Sequence, residues 1–301
     1  MAHASSFQTS WLSLTATSAV VLALGLGATG CSRRDDHDNA PVAAAEGNVT
    51  GNVVYPEQVH WAPYAEPTEH AFTVELPVGW PAQGGLKRLS TGEVRPWLRA
   101  SAPDGSAEIF IGDPELPDFT PPTPALAAAG LTEGKTYMPG EGRALTLSPY
   151  HDGQTFSAEW GRGKIGAHCD DVTPTGGKSQ PAAAAALESA LGGRSTQVSW
   201  SAGETRFSCG YRGRPGSAWV YAATSLASRG PFQVWDTRTV GGFIAWPEHW
   251  GLAGTAFAHA ARSFAADADW LKRQPGWSGD RLRASPKIFA TMSGPAEEAL
   301  R

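Results

Sequence analysis

Charge is scarce in this chain. Asp, Glu, Lys and Arg make up only 18% of its 301 residues, and 29 acids against 24 bases leave a formal net charge of -5. With no basic excess to hold a polyanion, nucleic acid is not an expected partner. Motifs that fix a chemistry are missing too. No Gly-x-Ser-x-Gly elbow presents a nucleophilic serine, and no internal repeat period marks a solenoid. The run Gly210 to Gly216 (GYRGRPG) is glycine-rich but lacks the Lys-Ser/Thr ending of a phosphate loop and falls between strands, so it reads as a hairpin turn. Cysteine occurs three times, at Cys31, Cys169 and Cys209.

What is present begins with a hydrophobic content of 41%, ample for a packed core. From Leu12 to Ala28 the chain is apolar or small, and Ala28, Thr29 and Gly30 lead directly into Cys31. This pattern resembles a bacterial lipoprotein signal. The resemblance implies cleavage before Cys31, acyl chains (palmitate among them) on its sulfur and new N-terminus, and a mature protein tethered to a membrane. Ser32 after the cysteine implies the outer membrane, with the domain facing the periplasm. The competing reading keeps Leu12–Ala28 as an uncleaved membrane helix at the short end of the spanning range. If Cys31 is lipidated, two thiols remain, and in an oxidising compartment Cys169 and Cys209 are expected to form a disulfide. Closing a loop of about 40 residues would contribute roughly 4 kcal/mol on a chain-entropy account.

The chain is therefore expected to divide into a signal peptide (1–30), a lipidated cysteine with a flexible linker (31–69), one α+β domain (70–274) and a C-terminal tail (275–301). The linker opens with Arg33, Arg34, Asp35 and Asp36 and has few periodic apolar positions. Within the domain, Phe72, Val74 and Leu76 alternate with Thr73 and Glu75 as a half-buried strand before Pro77 and Gly79. Val94–Ser101 and Ala107–Gly112 read as a hairpin across Ala102-Pro103-Asp104-Gly105. A short helix is expected over Asp152–Ile165, weakened by Gly161 and Gly163. A loop follows at Asp170–Gln180, and an alanine-rich helix at Pro181–Leu191. Further strands are expected at Thr196–Trp200, Thr205–Tyr211, Trp219–Ser225, Phe232–Thr239 and, after a turn at Val240-Gly241-Gly242, Phe243–Trp246. The spacing of Ala253, Phe257, Ala260, Phe264, Ala268 and Leu271 predicts a long amphipathic helix over Leu252–Lys272. The fold class is α+β, a mainly antiparallel sheet covered by helices.

The strand ending in Pro77-Val78-Gly79-Trp80, the Pro103-Asp104-Gly105 hairpin, the strand to Ile111 and the closing segment Ser263-Phe264 to Asp269-Trp270 together resemble the PsbP-like class of α-β-α sandwich domains. The resemblance covers about residues 70 to 273 and carries over no functional residue. It implies an accessory or binding protein that docks on a larger assembly through a protein partner in the cell envelope.

Each candidate chemistry has a plain alternative. His151, His168, Cys169, Asp170, Asp171 and Cys209 are suitable metal-ligand types without a characteristic spacing, so no metal or other cofactor is assigned. Glu159, Asp170, Asp171, Glu204 and Asp236 are available for acid-base work, as in any chain this long. Asp236 is the first to inspect, and a solvent-facing strand position accounts for it. No catalytic residue is assigned, and an unrecognised hydrolase is the third functional reading. The twelve tryptophans are more suggestive. Trp246 and Trp250, with His249 between them, form a possible ligand-binding pair, and Trp61 and Tyr64 lie near the linker. A carbohydrate or cell-wall binding module is therefore the second reading, although a chain poor in Ile and Met also fills its core with Trp.

Overall fold

The structure is a computed structural model that describes residues 59–89, 92–140, 143–191, 197–230, 232–274 and 279–301. The expected signal peptide, Cys31 and most of the expected linker lie outside the described residues. In chain order the elements are β1 (Trp61–Ala65), β2 (Phe72–Pro77), β3 (Ala82–Arg88), β4 (Val94–Ser101), β5 (Ala107–Ile111), β6 (Asp118–Thr120), α1 (Pro124–Ala128), β7 (Thr136–Tyr137), β8 (Leu145–Leu147) and α2 (Gly153–Gly166). They continue as β9 (Cys169–Ser179), α3 (Pro181–Leu191), β10 (Gln197–Tyr211), β11 (Arg214–Arg229), β12 (Phe232–Ala245), α4 (Trp250–Ser263), β13 (Ala265–Ala266), α5 (Ala268–Arg273) and α6 (Asp280–Ala299).

The main sheet runs β3-β4-β5-β12-β11-β10-β9 with every neighbour antiparallel, while the short β6, β7 and β8 attach beside β12. A second sheet of β1, β2 and β13 is also antiparallel. The class is thus α+β, mainly antiparallel, with helices against the sheet. Strand alternation assigns side chains to two faces. Leu98, Ile109, Trp219, Tyr221 and Phe243 point to the first face, in one buried cluster with Phe257 of α4 and Leu282, Ile288 and Met292 of α6. Phe110, Phe207, Val220, Ile244 and Trp235 point to the second face, where Phe156 and Ile165 of α2 cover them.

Four expectations about the elements are corrected. The segment after Pro275 is not a tail, because residues 280–299 form α6, with Leu282, Ile288, Phe289, Met292 and Ala296 buried. Its two internal prolines, Pro286 and Pro295, hide a helix from propensity reasoning. The expected turn at Val240-Gly241-Gly242 is strand interior. A Cβ on Gly241 would lie 2.9 Å from the Phe257 ring, and one on Gly242 2.3 Å from the Trp219 carbonyl oxygen, so the glycines mark close packing on both faces. Residues expected as loop at Asp170–Gln180 mostly belong to β9, an edge strand whose side chains are almost all exposed and so carry no alternation. The long helix expected to Lys272 ends at Ser263. Phe264 turns out with φ -59° and ψ 122°, and Ala265–Ala266 pairs with β2 before α5 begins.

A chain of ion pairs holds α6 against the sheet. Arg143 meets Asp118 at 3.0 Å, Asp118 meets Arg95 at 2.5 Å, and Arg95 meets Glu93 at 3.0 Å. Glu93 meets Arg281 at 2.7 Å, Arg281 lies 4.0 Å from Asp236, and Asp236 meets Arg238 at 3.0 Å. Arg281 Nη2 also donates to the carbonyl oxygens of Thr237 and Arg238. Burial pushes the Asp236 carboxyl up, but Arg238 and Arg281 outweigh it and hold it below the usual range. Asp236 is therefore not a solvent-facing strand residue. It is 6% exposed and accepts a hydrogen bond from Ser225 at 2.7 Å.

Candidate functional site

The second face is covered unevenly. Helix α2 packs on β9, β10 and β11, and its close approach depends on small residues: a Cβ on Gly203 would lie 2.4 Å from the backbone nitrogen of Gln154. Toward the β4–β5 turn, the residues of β3, β4 and β5 on this face are instead polar. Gln83 stands opposite Arg99, and Ser101 opposite Glu108. Glu108 is thus a diagonal neighbour of Arg99, a spacing that long side chains bridge. Arg99 grips it with Nε at 2.6 Å from one carboxylate oxygen and Nη2 at 2.9 Å from the other, a bidentate pair with Glu108 only 2% exposed.

Two turns and the end of α2 complete the site. Tyr211 to Arg214 is a two-residue hairpin turn with φ +51° at Arg212 and +75° at Gly213, as expected of a type I′ turn. The Arg212 guanidinium reaches the β4–β5 turn and occupies the space a Cβ on Gly105 would need, at 2.4 Å. His168, just after α2, brings its Nδ1 within 3.0 Å of Arg99 Nη2. An arginine only donates, so Nδ1 accepts and the ring proton sits on Nε2, 4.0 Å from Glu108. The pKa of His168 is correspondingly lowered: burial is the main cause, Glu108 opposes it, and Arg99, Lys164 and Arg212 add to it. Burial raises the Tyr211 phenol, Glu108 raises it further, and Arg212 and Arg99 pull the other way. The Tyr211 hydroxyl has no hydrogen-bond partner among the described residues, and neither does the hydroxyl of nearby Ser106. Gln83, Arg99, Ser101, Glu108 and Arg212 line a cleft of about 290 Å³.

The residues singled out from sequence are distributed as follows. Cys169 and Cys209 are bonded, with Cα atoms 5.7 Å apart, and join β9 to β10 beneath the end of α2. His151 is far along the chain from this point and pairs with Glu159 at 2.6 Å. Among the described residues no three His, Cys, Asp or Glu side chains converge. Glu204 is buried on the first face, where Gln180 Nε2 donates to it at 2.8 Å and burial pushes its carboxyl up. Trp246 is half-buried, with Nε1 donating to the Tyr211 carbonyl at 3.1 Å and the Arg214 guanidinium 4.0 Å above its ring. Trp250 packs on Phe243 at 4.6 Å and donates to the Ala299 carbonyl at 3.3 Å, and it borders a separate hollow of about 340 Å³ with Arg206 and Pro247. Trp61 stacks on His259 at 3.7 Å. Arg99, Glu108, Tyr211 and Arg212 went unread in the sequence. The hairpin spacing that set Arg99 near Glu108 was the available signal.

No family model matches the chain, and no curated protein matches it either. Among the described residues no helix is long and apolar enough to cross a membrane.

Proposed function

We propose that this protein is a lipid-anchored component of the cell envelope whose α+β domain is an accessory binding module of the PsbP-like type. The observation that carries the binding role is the open half of the sheet's second face, where Arg99, Glu108 and Arg212 surround a cleft next to a sealed hydrophobic half. Three further features support the reading. Helices lie on both faces of the antiparallel sheet, as in a sandwich of that class. The bonded Cys169–Cys209 pair suits an oxidising compartment. The Ala28-Thr29-Gly30-Cys31 sequence suits lipidation at Cys31.

Intact-mass measurement of the membrane-extracted protein from its host, beside a Cys31→Ala variant, tests the anchor. The expected result is a chain that starts at Cys31 and carries acyl mass, lost in the variant. An unprocessed chain in both overturns the proposal. A carbohydrate-binding reading is favoured by one feature, the Trp250 ring at the edge of the hollow with Arg206. Loss of retention on cell-wall glycan in Trp250→Ala, with unfolding unchanged, would move the binding role there.

A further inference from the structure

Apart from Trp61 and Trp97, the described tryptophans all pack into a buried apolar cluster, and Trp61 stacks on His259. Trp97 is half-buried on the open side of the sheet, where it pairs with Gly85 across β3 and β4. A Cβ on Gly85 would lie 3.3 Å from the indole Nε1, 3.6 Å from Cε2 and 3.7 Å from Cζ2. Cε2 is recessed between the other two atoms, so an indole pointing its edge at Gly85 would keep Cε2 farthest. The ring instead leans across the glycine, with its other face turned away from the strands. One row along, at about 7 Å, the paired residues Gln83 and Arg99 line the cleft of about 290 Å³ together with Ser101. The charged groups nearby are committed: Arg99 to Glu108, Lys87 to Glu115 and Lys164 to Asp113, while Arg212 lies against Gly105 and the Tyr211 ring.

We propose that Trp97 and the adjoining cleft bind a neutral glycan, with one pyranose stacked on the indole and hydroxyls of the next unit taken by Gln83 and Ser101. This deepens the binding-module reading and rests on it. An indole face beside polar groups suits a ligand that is itself apolar on one side and polar at its rim. A pyranose is built that way, with C–H bonds on its face and hydroxyls around its edge. Each hydroxyl both donates and accepts, and so do the Gln83 amide and the Ser101 hydroxyl. Because the neighbouring charges are paired with one another, the ring and cleft favour an uncharged partner. A proline-rich peptide could also stack on Trp97, but proline has no N–H, so such a segment offers acceptors alone and leaves the acceptor atoms of Gln83 and Ser101 unmet.

Isothermal titration of the full chain tests the site, in a polyoxyethylene detergent because a glycoside detergent would compete. The probes are cellotetraose, chitotetraose and pentaproline. A tetrasaccharide should bind and pentaproline should not, and the tighter of the two sugars tells whether N-acetyl groups are recognised. Trp97→Ala should weaken binding at least tenfold, and Trp97→Phe should recover part of the loss. Trp97 also covers Gly85, so its removal can loosen the β3–β4 hairpin. The exposed Gln83 gives a second variant free of that effect, and Gln83→Ala should weaken binding several-fold. Trp250→Ala should leave affinity unchanged. The proposal is overturned by pentaproline binding as tightly as the sugars, by affinity unchanged in Trp97→Ala or lost in Trp250→Ala, or by no heat from either tetrasaccharide up to about 10 mM, beyond the range of a weak fragment. The Cys31 mass measurement is independent of these titrations, so silent titrations of an acylated chain overturn the glycan site and leave the envelope reading standing.

Discussion

The two halves of the second face belong to one continuous sheet and do opposite things. Over β10 and β11 the side chains are Phe207, Val220 and Ala222, and α2 closes over them with Phe156 and Ile165. Over β4 and β5 they are Arg99, Ser101 and Glu108, and they line a cleft. Composition on one side of a strand is therefore enough to decide where a helix lands, because only the apolar half gains by losing water. On the polar half the buried Glu108 carboxylate is held by the two-point pair with Arg99.

The contrast can be broken most severely at Trp235. Its ring stacks on Phe119 at 4.1 Å, meets Phe156 edge-on at 5.8 Å and is 1% exposed. Trp235→Ala should lose about 3–5 kcal/mol in urea denaturation. Next comes the disulfide: replacing Cys169 and Cys209 together by Ser should cost roughly 2–4 kcal/mol in the same experiment, since it frees the β9 edge from β10. Gly203→Ala forces α2 off the sheet and should cost about 1–3 kcal/mol. On the open half, Arg212→Asn should change stability by no more than about 0.5 kcal/mol. The two halves are alike in kind if this variant instead unfolds the domain.

A pH experiment sharpens the boundary between them. The pKa of His168 is below its ordinary value of about 6.5 in the folded protein, so the fold favours the neutral ring. Its contribution is complete above about pH 6.5 and is lost as pH falls from there through the lowered folded value. Denaturation midpoints between pH 7.5 and 5 should therefore fall less steeply in His168→Gln than in the parent. Equal slopes would show that His168 is not held neutral by its site.

Much of the fold was legible where one face is wet and the other dry. The hairpin of β4 and β5, with Gly105 in its turn, and the helices α2 and α3 follow from alternation, turn residues and capping. The domain's limits were less legible, for physical reasons. In β9 the edge position leaves Asp170 to Ser179 exposed on both sides, apart from Val172, so no period appears. In α6, Pro286 and Pro295 argue against a helix that tertiary packing nevertheless holds. Only the Arg99–Glu108 part of the candidate site was legible, through the hairpin spacing; His168 and Tyr211-Arg212 arrive from elsewhere in the chain, and no spacing in sequence reports that meeting. Asp236 drew notice for its charge, but its role depends on Arg281, which lay in the segment read as a tail.

The ion-pair chain through Arg281 also bears on biosynthesis. A polypeptide is made from its N-terminus, so Glu93, Arg95, Asp118 and Asp236 are all synthesised before the residue that links Glu93 to Asp236. Until α6 emerges, Glu93 and Asp236 have no shared partner and the first face of the sheet lacks Leu282, Ile288 and Met292. A chain cut short before residue 280 would carry both defects at once. Helix α6 thus makes synthesis through residue 299 a condition of the domain's stability.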